Sequence, residues 1–545
     1  MDWLMLYWLP CLCMAAGMIL SARRLTHYFQ LESYQFQGYF RTLRRQWKRA
    51  VLPCALMAAV FAGLYAALAY GVAAAREADG GRAWTAGRVL LAVLICAAFT
   101  GAGWALRKLS MARQEKKKFA LTARMKRLYG ALAILLTALI LILFFAVRRE
   151  TAGIFFAASA VLLPLTVALA GALIWPVERL IFHLYFRDAE KKILKNDRLI
   201  RIGITGSYGK TSTKFILADL LSQKYNVLAT PASFNTPMGV TRIIRERLTP
   251  AHQVFIGEMG ARHVGEIREL SRLVHPQIGI LTAVGPQHLD TFRTLERIKK
   301  TKYELIEALP EDGLSVFLDD GDIVTGLYQR TKKARLLAGK EGADAWATDV
   351  AVSPQGSSFA LHLKGWEPIP CQTQLLGEHN IRNILLCALV AKYLGLTPDQ
   401  IRRGILNLRP VEHRLQLMKT GGGVTVIDDA FNTNPRSSKE ALKVLSSFPG
   451  RHVIVTPGMV ELGADEDKYN EDFGKAMAKH VDIAVLVGRR HTAPIRKGML
   501  EAGFPESAIF TVGSLQEAVG TVNSLILPGD TVMYENDLPD HYSEQ

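Results

Sequence analysis

The stretch Thr205-Gly206-Ser207-Tyr208-Gly209-Lys210-Thr211-Ser212 separates a short apolar run, residues 199–204, from a helical pattern at residues 214–221. A glycine-rich turn between a strand and a helix directs several backbone N–H groups at one point, where the helix dipole adds partial positive charge. Lys210 would add a full charge for the phosphates of a nucleotide, and Thr211 can offer its hydroxyl to Mg²⁺. The alternative is a structural glycine turn with a solvated lysine.

The spacing of the glycines indicates a variant of the common phosphate-binding loop. That motif places a glycine five residues before Gly209, where this chain has Ile204. We therefore interpret the loop as a shortened form with Gly206 at the tight turn. The residues predicted to bind a nucleotide at this loop are Gly206, Ser207, Gly209, Lys210, Thr211 and Ser212.

The positive charge of the chain is confined to its first part. Residues 1–198 contain 27 Lys and Arg against 10 Asp and Glu, whereas residues 199–545 contain 39 of each, so the first part carries the whole net charge of +17. The first part also contains five apolar runs that are long enough, or nearly so, to cross a bilayer as helices. These runs are residues 3–20, 50–75, 84–106, 129–147 and 152–175. The basic residues are therefore interpreted as membrane flanks rather than as contacts to nucleic acid.

Basic residues cluster in three segments, 23–49, 107–127 and 179–198, which lie between or after the apolar runs. Because positively charged loops stay in the cytoplasm, we expect a multi-pass protein of the cell membrane with its N-terminus outside and its large C-terminal part inside. The runs contain almost no ionisable residues, which favours an anchor over a membrane transporter driven by nucleotide hydrolysis. The six cysteines show neither a zinc spacing nor a disulfide framework, as expected for a reducing cytosol.

Short apolar runs alternate with helical patterns after residue 198, which predicts mostly parallel sheets covered by helices on both faces. The first set of predicted strands comprises residues 199–204, 226–229, 254–258, 278–282 and 315–318. The second set comprises residues 423–427, 453–456, 483–487, 508–512 and 531–534. The predicted architecture is an α-helical membrane region followed by α/β domains. It comprises a five-helix transmembrane region at residues 1–185, a central P-loop domain at 186–409 and a Rossmann-like C-terminal domain at 410–545.

Three residues outside the loop carry groups that could act on a bound nucleotide. Glu258 ends one predicted strand and His288 follows another, and the carboxyl ends of such strands bind ligands. Carboxylate and imidazole suit Mg²⁺ or Mn²⁺, although both residue types are also common in structural roles. Lys302 lies in the middle of the apolar stripe of a helix predicted at residues 295–309. A lysine on an inward face must snorkel, pair or be chemically altered, so it is either a snorkelling or an active-site lysine.

Four further residues could contact a nucleotide from other segments. Asn380 and Asn383 share one face of a predicted helix and offer amide donors and acceptors, and capping explains only one of them. Arg414 lies at the predicted domain junction, where domain closure can bring it onto a phosphate. Asp429 ends the first strand of the predicted C-terminal domain, where a carboxylate can orient a base or a ribose hydroxyl.

These residues, in this order, resemble the Mur ligase family of ATP-dependent amide-forming enzymes over residues 199–530. The closest segments are residues 205–213, 233–240, 258–266, 428–435 and 458–463. The resemblance implies an ADP-forming acid–amino-acid ligase of peptidoglycan precursor synthesis. In such an enzyme a substrate carboxylate is activated as an acyl phosphate and then joined to an amine. The implied substrates are ATP, a muramoyl peptide as acceptor, and D-alanyl-D-alanine or a related amino acid or dipeptide as donor.

The resemblance also implies roles for the matching residues. Lys210 and Thr211 would hold the ATP phosphates and Mg²⁺, and Glu258 would ligate this first Mg²⁺. His288 would ligate a second Mg²⁺, with Lys302 as a carbamylated lysine. The implied catalytic residues are therefore Lys210, His288 and Lys302.

The remaining implied contacts lie around the nucleotide. Asn380 and Asn383 would contact the adenine side of ATP. Arg414 and Asp429 would reach the nucleotide from the C-terminal domain.

Two departures from the family pattern concern the substrates. Members usually begin with a soluble domain that holds a UDP-sugar, where this chain has its apolar runs. Residues 534–539 also lack the basic stretch expected of the branch that adds D-alanyl-D-alanine. One alternative is therefore a membrane-anchored ligase that adds an amino acid such as glutamate to a lipid-linked or polymeric acceptor. A relative that binds without catalysis is a further alternative, which the intact site residues disfavour.

Overall fold

The computed structural model describes residues 8–78, 86–111, 118–232, 234–418, 420, 422–431 and 433–538. It divides into two compact units, one formed by residues up to Phe182 and the other by His183–Leu538. Each unit has its own core.

The first unit is helical. Its helices are α1 Leu9–Ser21, α2 Arg23–Leu31, α3 Phe36–Arg45, α4 Trp47–Ala78, α5 Ala86–Met111, α6 Ala123–Ala146, α7 Arg149–Ala158 and α8 Leu163–Leu194, with a 3₁₀ turn at Ser159–Leu162. In the described part of the chain, three helical stretches are long and apolar enough to cross a membrane: Trp47–Tyr70, Ala123–Ala146 and Thr151–Leu194. They overlap the second, fourth and fifth predicted runs. The first and third predicted runs, residues 3–20 and 84–106, begin outside the described residues.

Packing within this unit combines close helix contacts with an apolar exterior. A side chain at Gly103 of α5 would lie 2.3 Å from the backbone oxygen of Gly17 in α1, so only glycine permits this approach. Large apolar residues on α6 point outward, and Phe145 is 89% exposed. A helix that is apolar on its outer face suits a lipid environment.

The second unit begins with a nine-stranded sheet. Its strands are β1 Ile200–Thr205, β2 Val227–Ala229, β3 Val254–Glu258, β4 Ile278–Leu281, β5 Leu314–Leu318, β6 Arg335–Gly339, β7 Ala345–Ser353, β8 Gly356–Leu363 and β9 Ile369–Thr373. Their order across the sheet is β2-β3-β1-β4-β5-β6-β7-β8-β9. The pairs from β2 to β7 are parallel, while β7, β8 and β9 pair antiparallel.

Helices cover both faces of this first sheet. The helices are α9 Lys210–Leu221, α10 Pro237–Arg247, α11 Glu266–Val274, α12 Leu289–Phe292, α13 Leu295–Glu307, α14 Asp322–Arg330, α15 Glu378–Tyr393 and α16 Pro398–Leu406. One core contains Leu217 of α9 and Ile384 of α15, and the other contains Ile243 of α10 and Leu305 of α13. This arrangement leaves the carboxyl ends of the parallel strands free to form a site.

A second sheet completes the unit, and we call this part the last domain. Its strands are β10 Gln416–Met418, β11 Thr425–Asp429, β12 His452–Thr456, β13 Ile483–Val487, β14 Ile509–Val512 and β15 Thr531–Glu535, in the order β10-β11-β15-β12-β13-β14. Only β10 pairs antiparallel. Its helices are α17 Pro435–Leu445, α18 Glu466–Met477, α19 Ala493–Glu501 and α20 Leu515–Leu525, with short 3₁₀ turns at Gly463–Asp465 and Glu506–Ala508.

The structure confirms a helical region followed by α/β domains, but corrects the first sheet. All ten predicted strands exist within one or two residues of their predicted ends, whereas β6 to β9 were not predicted. The strand β8 alternates buried and half-buried residues instead of forming an apolar run, and β7 is largely half-exposed. Antiparallel strands with one solvated face alternate apolar and polar residues, so they do not form the continuous apolar runs from which the other strands were predicted.

Candidate functional site

The phosphate loop connects β1 to α9 at the centre of the first sheet. Ile204 of β1 lies opposite Glu258 of β3 and Ile280 of β4, so three strand ends meet at the loop. Gly206 has a φ of +155°, and a Cβ there would lie 2.0 Å from the Thr282 hydroxyl oxygen. Only glycine fits this turn. The predicted loop is therefore a tight glycine turn between a strand and a helix N-terminus, where backbone N–H groups and the helix dipole favour an anion.

The side chains of the loop are held by neighbouring strand ends. The Ser207 N–H donates to the Ala283 carbonyl at 2.8 Å, and its hydroxyl donates to the Gly285 carbonyl at 2.9 Å. Lys210 turns back so that Nζ donates to the Gly206 carbonyl at 2.7 Å. Burial lowers the pKa of Lys210 to about 8, an effect that Glu258 opposes. The ammonium thus lies against the Gly206 carbonyl, and a phosphate bound there would raise this pKa again.

Glu258 is the centre of a hydrogen-bond network at the end of β3. Its Oε1 accepts from the Thr211 hydroxyl at 3.1 Å and from Asn235 Nδ2 at 3.0 Å, and its Oε2 lies 3.0 Å from Lys214 Nζ. Lys214 and Glu258 are 0% and 1% exposed. Burial by itself would raise the pKa of Glu258, but Lys214 and Lys210 outweigh it and hold this pKa below its ordinary value. The carboxylate is therefore ionised and correctly placed beside Thr211 to share a cation.

His288 begins the short helix α12 and contacts the last domain. It adopts a left-handed conformation with a φ of +51°, and its Nδ1 hydrogen-bonds Glu461 Oε2. Glu461 also lies 3.2 Å from Arg262 Nη2. Burial lowers the pKa of His288, which favours a neutral ring despite Glu461. Because Nδ1 is bonded to a carboxylate, Nε2 is the ring nitrogen that could bind a metal.

Lys302 lies on the inward face of α13 and is 1% exposed. Among the described residues, its ammonium has no hydrogen bond and no ion pair within 4.0 Å. Burial, reinforced by the nearby positive charge of Lys210, holds the pKa of Lys302 well below its ordinary value. A snorkelling lysine would place its ammonium in solvent, and this one does not.

The two predicted asparagines occupy different positions. Asn383 Oδ1 accepts from the Thr213 hydroxyl at 3.3 Å and lies 3.0 Å from the position that a Cβ on Gly209 would take, so it packs on the phosphate loop. Asn380 Nδ2 instead donates to the Leu376 carbonyl at 2.9 Å, which ties down the start of α15. The structure brings Asn383 to the site and gives Asn380 a local bond.

Arg414 and Asp429 approach from the last domain. Arg414 stacks over the Phe431 ring at 4.4 Å. Burial lowers the pKa of Arg414, and the negative charges of Asp429 and Glu258, one from each domain, oppose this shift. Asp429 accepts from the Leu415 N–H at 3.2 Å, and burial together with Glu535 raises its pKa to about 8.

Lys214 and Glu461 contact predicted site residues with charged groups, and neither was predicted to belong to the site. Lys214 follows Lys210 by one helical turn, and this spacing on α9 was a signal that both could face Glu258. Glu461 lies in a segment that supported the family resemblance, but its pairing with His288 joins residues 173 positions apart. No local pattern predicts such a contact.

The donor set fits Mg²⁺ bound jointly by protein and substrate. Within the described ranges, no group of three or more His, Cys, Asp or Glu side chains could hold a metal alone. Mg²⁺ characteristically binds through one or two carboxylates plus substrate phosphates and water, which matches the pair Thr211 and Glu258 beside the phosphate loop. A second cation would depend on His288 and on a modified Lys302.

Comparisons with known proteins bear on the family of the chain. Residues 204–391 match the Mur ligase middle domain, and residues 413–534 match the Mur ligase, glutamate ligase domain. The UDP-N-acetylmuramoyl-tripeptide–D-alanyl-D-alanine ligase of Escherichia coli (strain K12) is 31% identical over 333 residues, covering 60% of this chain and 73% of that enzyme.

Two solved structures are similar over the same region. MurF from Acinetobacter baumannii is 26% identical with a TM-score of 0.61, covering 67% of this chain and 79% of that one. MurF ligase from Thermotoga maritima in complex with ADP is 24% identical with a TM-score of 0.60, covering 67% of this chain and 82% of that one, and shows the shared fold.

Proposed function

Because the chain belongs to the Mur ligase family of ATP-dependent, ADP-forming acid–amino-acid ligases, we propose that it joins D-alanyl-D-alanine or a related amine to a muramoyl peptide. The observation that carries this proposal is the convergence at the phosphate loop. Thr211 is hydrogen-bonded to Glu258, and the charge of Glu258 acts on the pKa values of Lys210, Lys302 and Arg414, the last of which belongs to the last domain.

The proposed reaction has two steps. The acceptor carboxylate attacks the γ-phosphorus of ATP, which forms an acyl phosphate and releases ADP. The amine then attacks the acyl carbon, the C–O bond to phosphate breaks, and phosphate leaves as the amide forms. In the first step Lys210 and Arg414 would offset the negative charge of the moving phosphoryl group.

The residues at the site also fit the proposed metal binding. Thr211 and Glu258 would hold one Mg²⁺, and His288 with a carbamylated Lys302 would hold a second. Mg²⁺ neutralises phosphate charge when bound. Burial lowers the pKa of Lys302 and so favours the neutral amine, the form that can add CO₂ to become a carbamate. Glu461 would hold the His288 ring in the orientation that presents Nε2.

We propose that the helical first unit anchors the enzyme in the cell membrane as a multi-pass region with its N-terminus outside and the catalytic part in the cytoplasm. The three apolar helical stretches and the positive charge of residues 1–198 support this proposal. An acceptor held at the membrane surface, lipid-linked instead of UDP-linked, is the second candidate that these helices favour. The amine joined to such an acceptor would be an amino acid such as glutamate, or D-alanyl-D-alanine.

The test is ADP release by the full chain in detergent, with acceptor and amine supplied separately and together. We expect ADP release that requires both, and an amide product by mass spectrometry. UDP-linked and lipid-linked muramoyl peptides are compared as acceptors, with dipeptides and single amino acids as donors. ADP release that is equally fast without acceptor or amine would show an ATPase instead.

Two lysines of α13 provide a matched pair of variants for this assay. Lys302→Ala should abolish amide formation. Lys299→Ala, which changes a half-exposed lysine paired only with Glu296, should retain it. Equal loss in both variants would contradict the proposed role of Lys302.

A further inference from the structure

A buried carboxylate outside the predicted site joins three parts of the catalytic unit. Asp320 follows β5, and its side chain is 4% exposed. Its Oδ2 accepts from the Tyr208 hydroxyl at 2.9 Å, and its Oδ1 pairs with Arg436 and lies 3.8 Å from Arg382 Nη1. Tyr208 belongs to the phosphate loop, Arg382 to α15 and Arg436 to the last domain. One carboxylate thus receives groups from all three.

Arg436 reaches this carboxylate from the first turn of α17. Its Nη1 also donates to the Asp320 backbone carbonyl at 2.9 Å and to the Tyr208 hydroxyl oxygen at 3.1 Å, and its guanidinium lies 5.4 Å from the centre of the Tyr208 ring. The helix is fixed at this end by Asn434, whose side chain caps the N–H groups of Arg436 and Ser437. The guanidinium is therefore held in position as well as paired.

The chemistry of this contact makes it strong and directional. A guanidinium with several hydrogen bonds to one residue has a defined geometry, and charge-assisted bonds are about twice as strong as neutral ones. Because Asp320 is nearly excluded from solvent, removing Arg436 would leave a buried carboxylate with only Tyr208 and a distant Arg382. The contact therefore favours the arrangement in which the last domain lies against the phosphate loop.

We propose that Asp320 and Arg436 form a latch that keeps the last domain closed on the phosphate loop until the amine has reacted. The latch rests on the proposed function, and both residues act as positioning residues because neither needs to touch substrate. Its purpose is to exclude water from the acyl phosphate. If water replaces the amine as the nucleophile and attacks the acyl carbon, the C–O bond to phosphate breaks in the same way. The carboxylate is then regenerated, and one ATP has been hydrolysed without forming an amide.

The decisive measurement is therefore the ratio of ADP released to amide formed by the full chain in detergent. We expect a ratio near one for the wild type. Asp320→Asn and Arg436→Met should raise it about twofold or more, because losing a charge-assisted contact shifts a closed–open equilibrium by about tenfold. Tyr208→Phe, which keeps the pairing of Asp320 with Arg436, should give a smaller rise.

A matched control lies inside the last domain. Asp530 is 5% exposed and pairs with Arg451 at 2.7 Å without touching the first sheet. Asp530→Asn should lower stability to a similar degree but leave the ratio of ADP to amide unchanged. If Asp320→Asn lowers both products equally, or if Asp530→Asn raises the ratio as much, the latch is refuted and Asp320 is merely structural.

Hydrogen–deuterium exchange separates the latch from the proposed reaction. Asp320→Asn should speed amide exchange in both the phosphate loop, residues 206–209, and the start of α17, whereas Asp530→Asn should not. Unchanged exchange at these two segments would overturn the latch whatever the enzyme makes. A wild-type chain that releases ADP without forming any amide would overturn the proposed function, while faster exchange in Asp320→Asn would still support domain closure.

Discussion

Replacing Lys214 by methionine should destabilise the protein more than the same replacement of Lys210, which is the other lysine in α9. Methionine has a similar length and no charge, so the substitution removes the ion pair with Glu258 without leaving a large cavity. Both partners are almost completely buried, and their atoms are 3.0 Å apart. Glu258 would keep only the neutral donors Thr211 and Asn235.

The size of the effect follows from burial. Removing one member of a buried ion pair costs about 3–5 kcal/mol, because the remaining charge stays in a region of low polarity. Lys214 also donates to the Ala232 carbonyl, so the loop before α10 loses a contact as well. Glu258→Gln should cost a similar amount, since it leaves the ammonium unpaired. The double variant removes both charges and should recover at least about 2 kcal/mol of the summed cost.

The assay is denaturant unfolding of the full chain in detergent for the wild type, both single variants and the double variant. Lys475→Met serves as the control, since that lysine forms exposed pairs with Glu471 and Glu501 and its loss should leave the unfolding free energy nearly unchanged. If the loss of unfolding free energy in the double variant equals the sum of the losses in the two single variants, Lys214 and Glu258 are not coupled. A loss in Lys475→Met as large as that in Lys214→Met would show that burial is not the cause.

Lys302→Met should raise the melting temperature while abolishing amide formation, because it removes a buried amino group that has no ion pair among the described residues; a lower melting temperature would contradict this. Burial raises the pKa of Glu535 from 4.5 to about 7. Between these two pH values the Glu535 carboxyl group is protonated in the folded state and ionised in the unfolded state. The free energy of unfolding should therefore decrease as pH rises from about 4.5 to about 7. Glu535→Gln should flatten this dependence in unfolding experiments at stepped pH, and an unaltered slope would exclude Glu535 as its source. Gly206→Ala should weaken ATP binding by about tenfold or more in a nucleotide titration, because the added Cβ has no room. Gly520 lies in open space on α20, so Gly520→Ala should bind ATP as the wild type does.

Much of the fold followed from local patterns. The ten predicted strands, the order of helices and strands after residue 198, and the family itself were read from apolar runs and from motifs in a fixed order. Such features depend on residues close together in the chain, and burial on both faces of a parallel strand leaves a continuous apolar run. Strands β6 to β9 were not predictable in this way, because β6 and β7 are largely half-exposed and β8 and β9 alternate buried with more exposed residues.

The individual residues of the candidate site were predictable from the sequence, but the contacts between them were not. Sequence patterns alone indicate which residues have the chemistry to act: a lysine in a glycine-rich turn, a glutamate at a strand end and a lysine on an inward helix face. The folded arrangement is what pairs Lys214 with Glu258, Glu461 with His288 and Arg436 with Asp320. The last two pairs join residues more than 100 positions apart, and their meeting depends on strand register and on how the last domain packs. Local periodicity contains no information about such distances, because packing between sheets sets them.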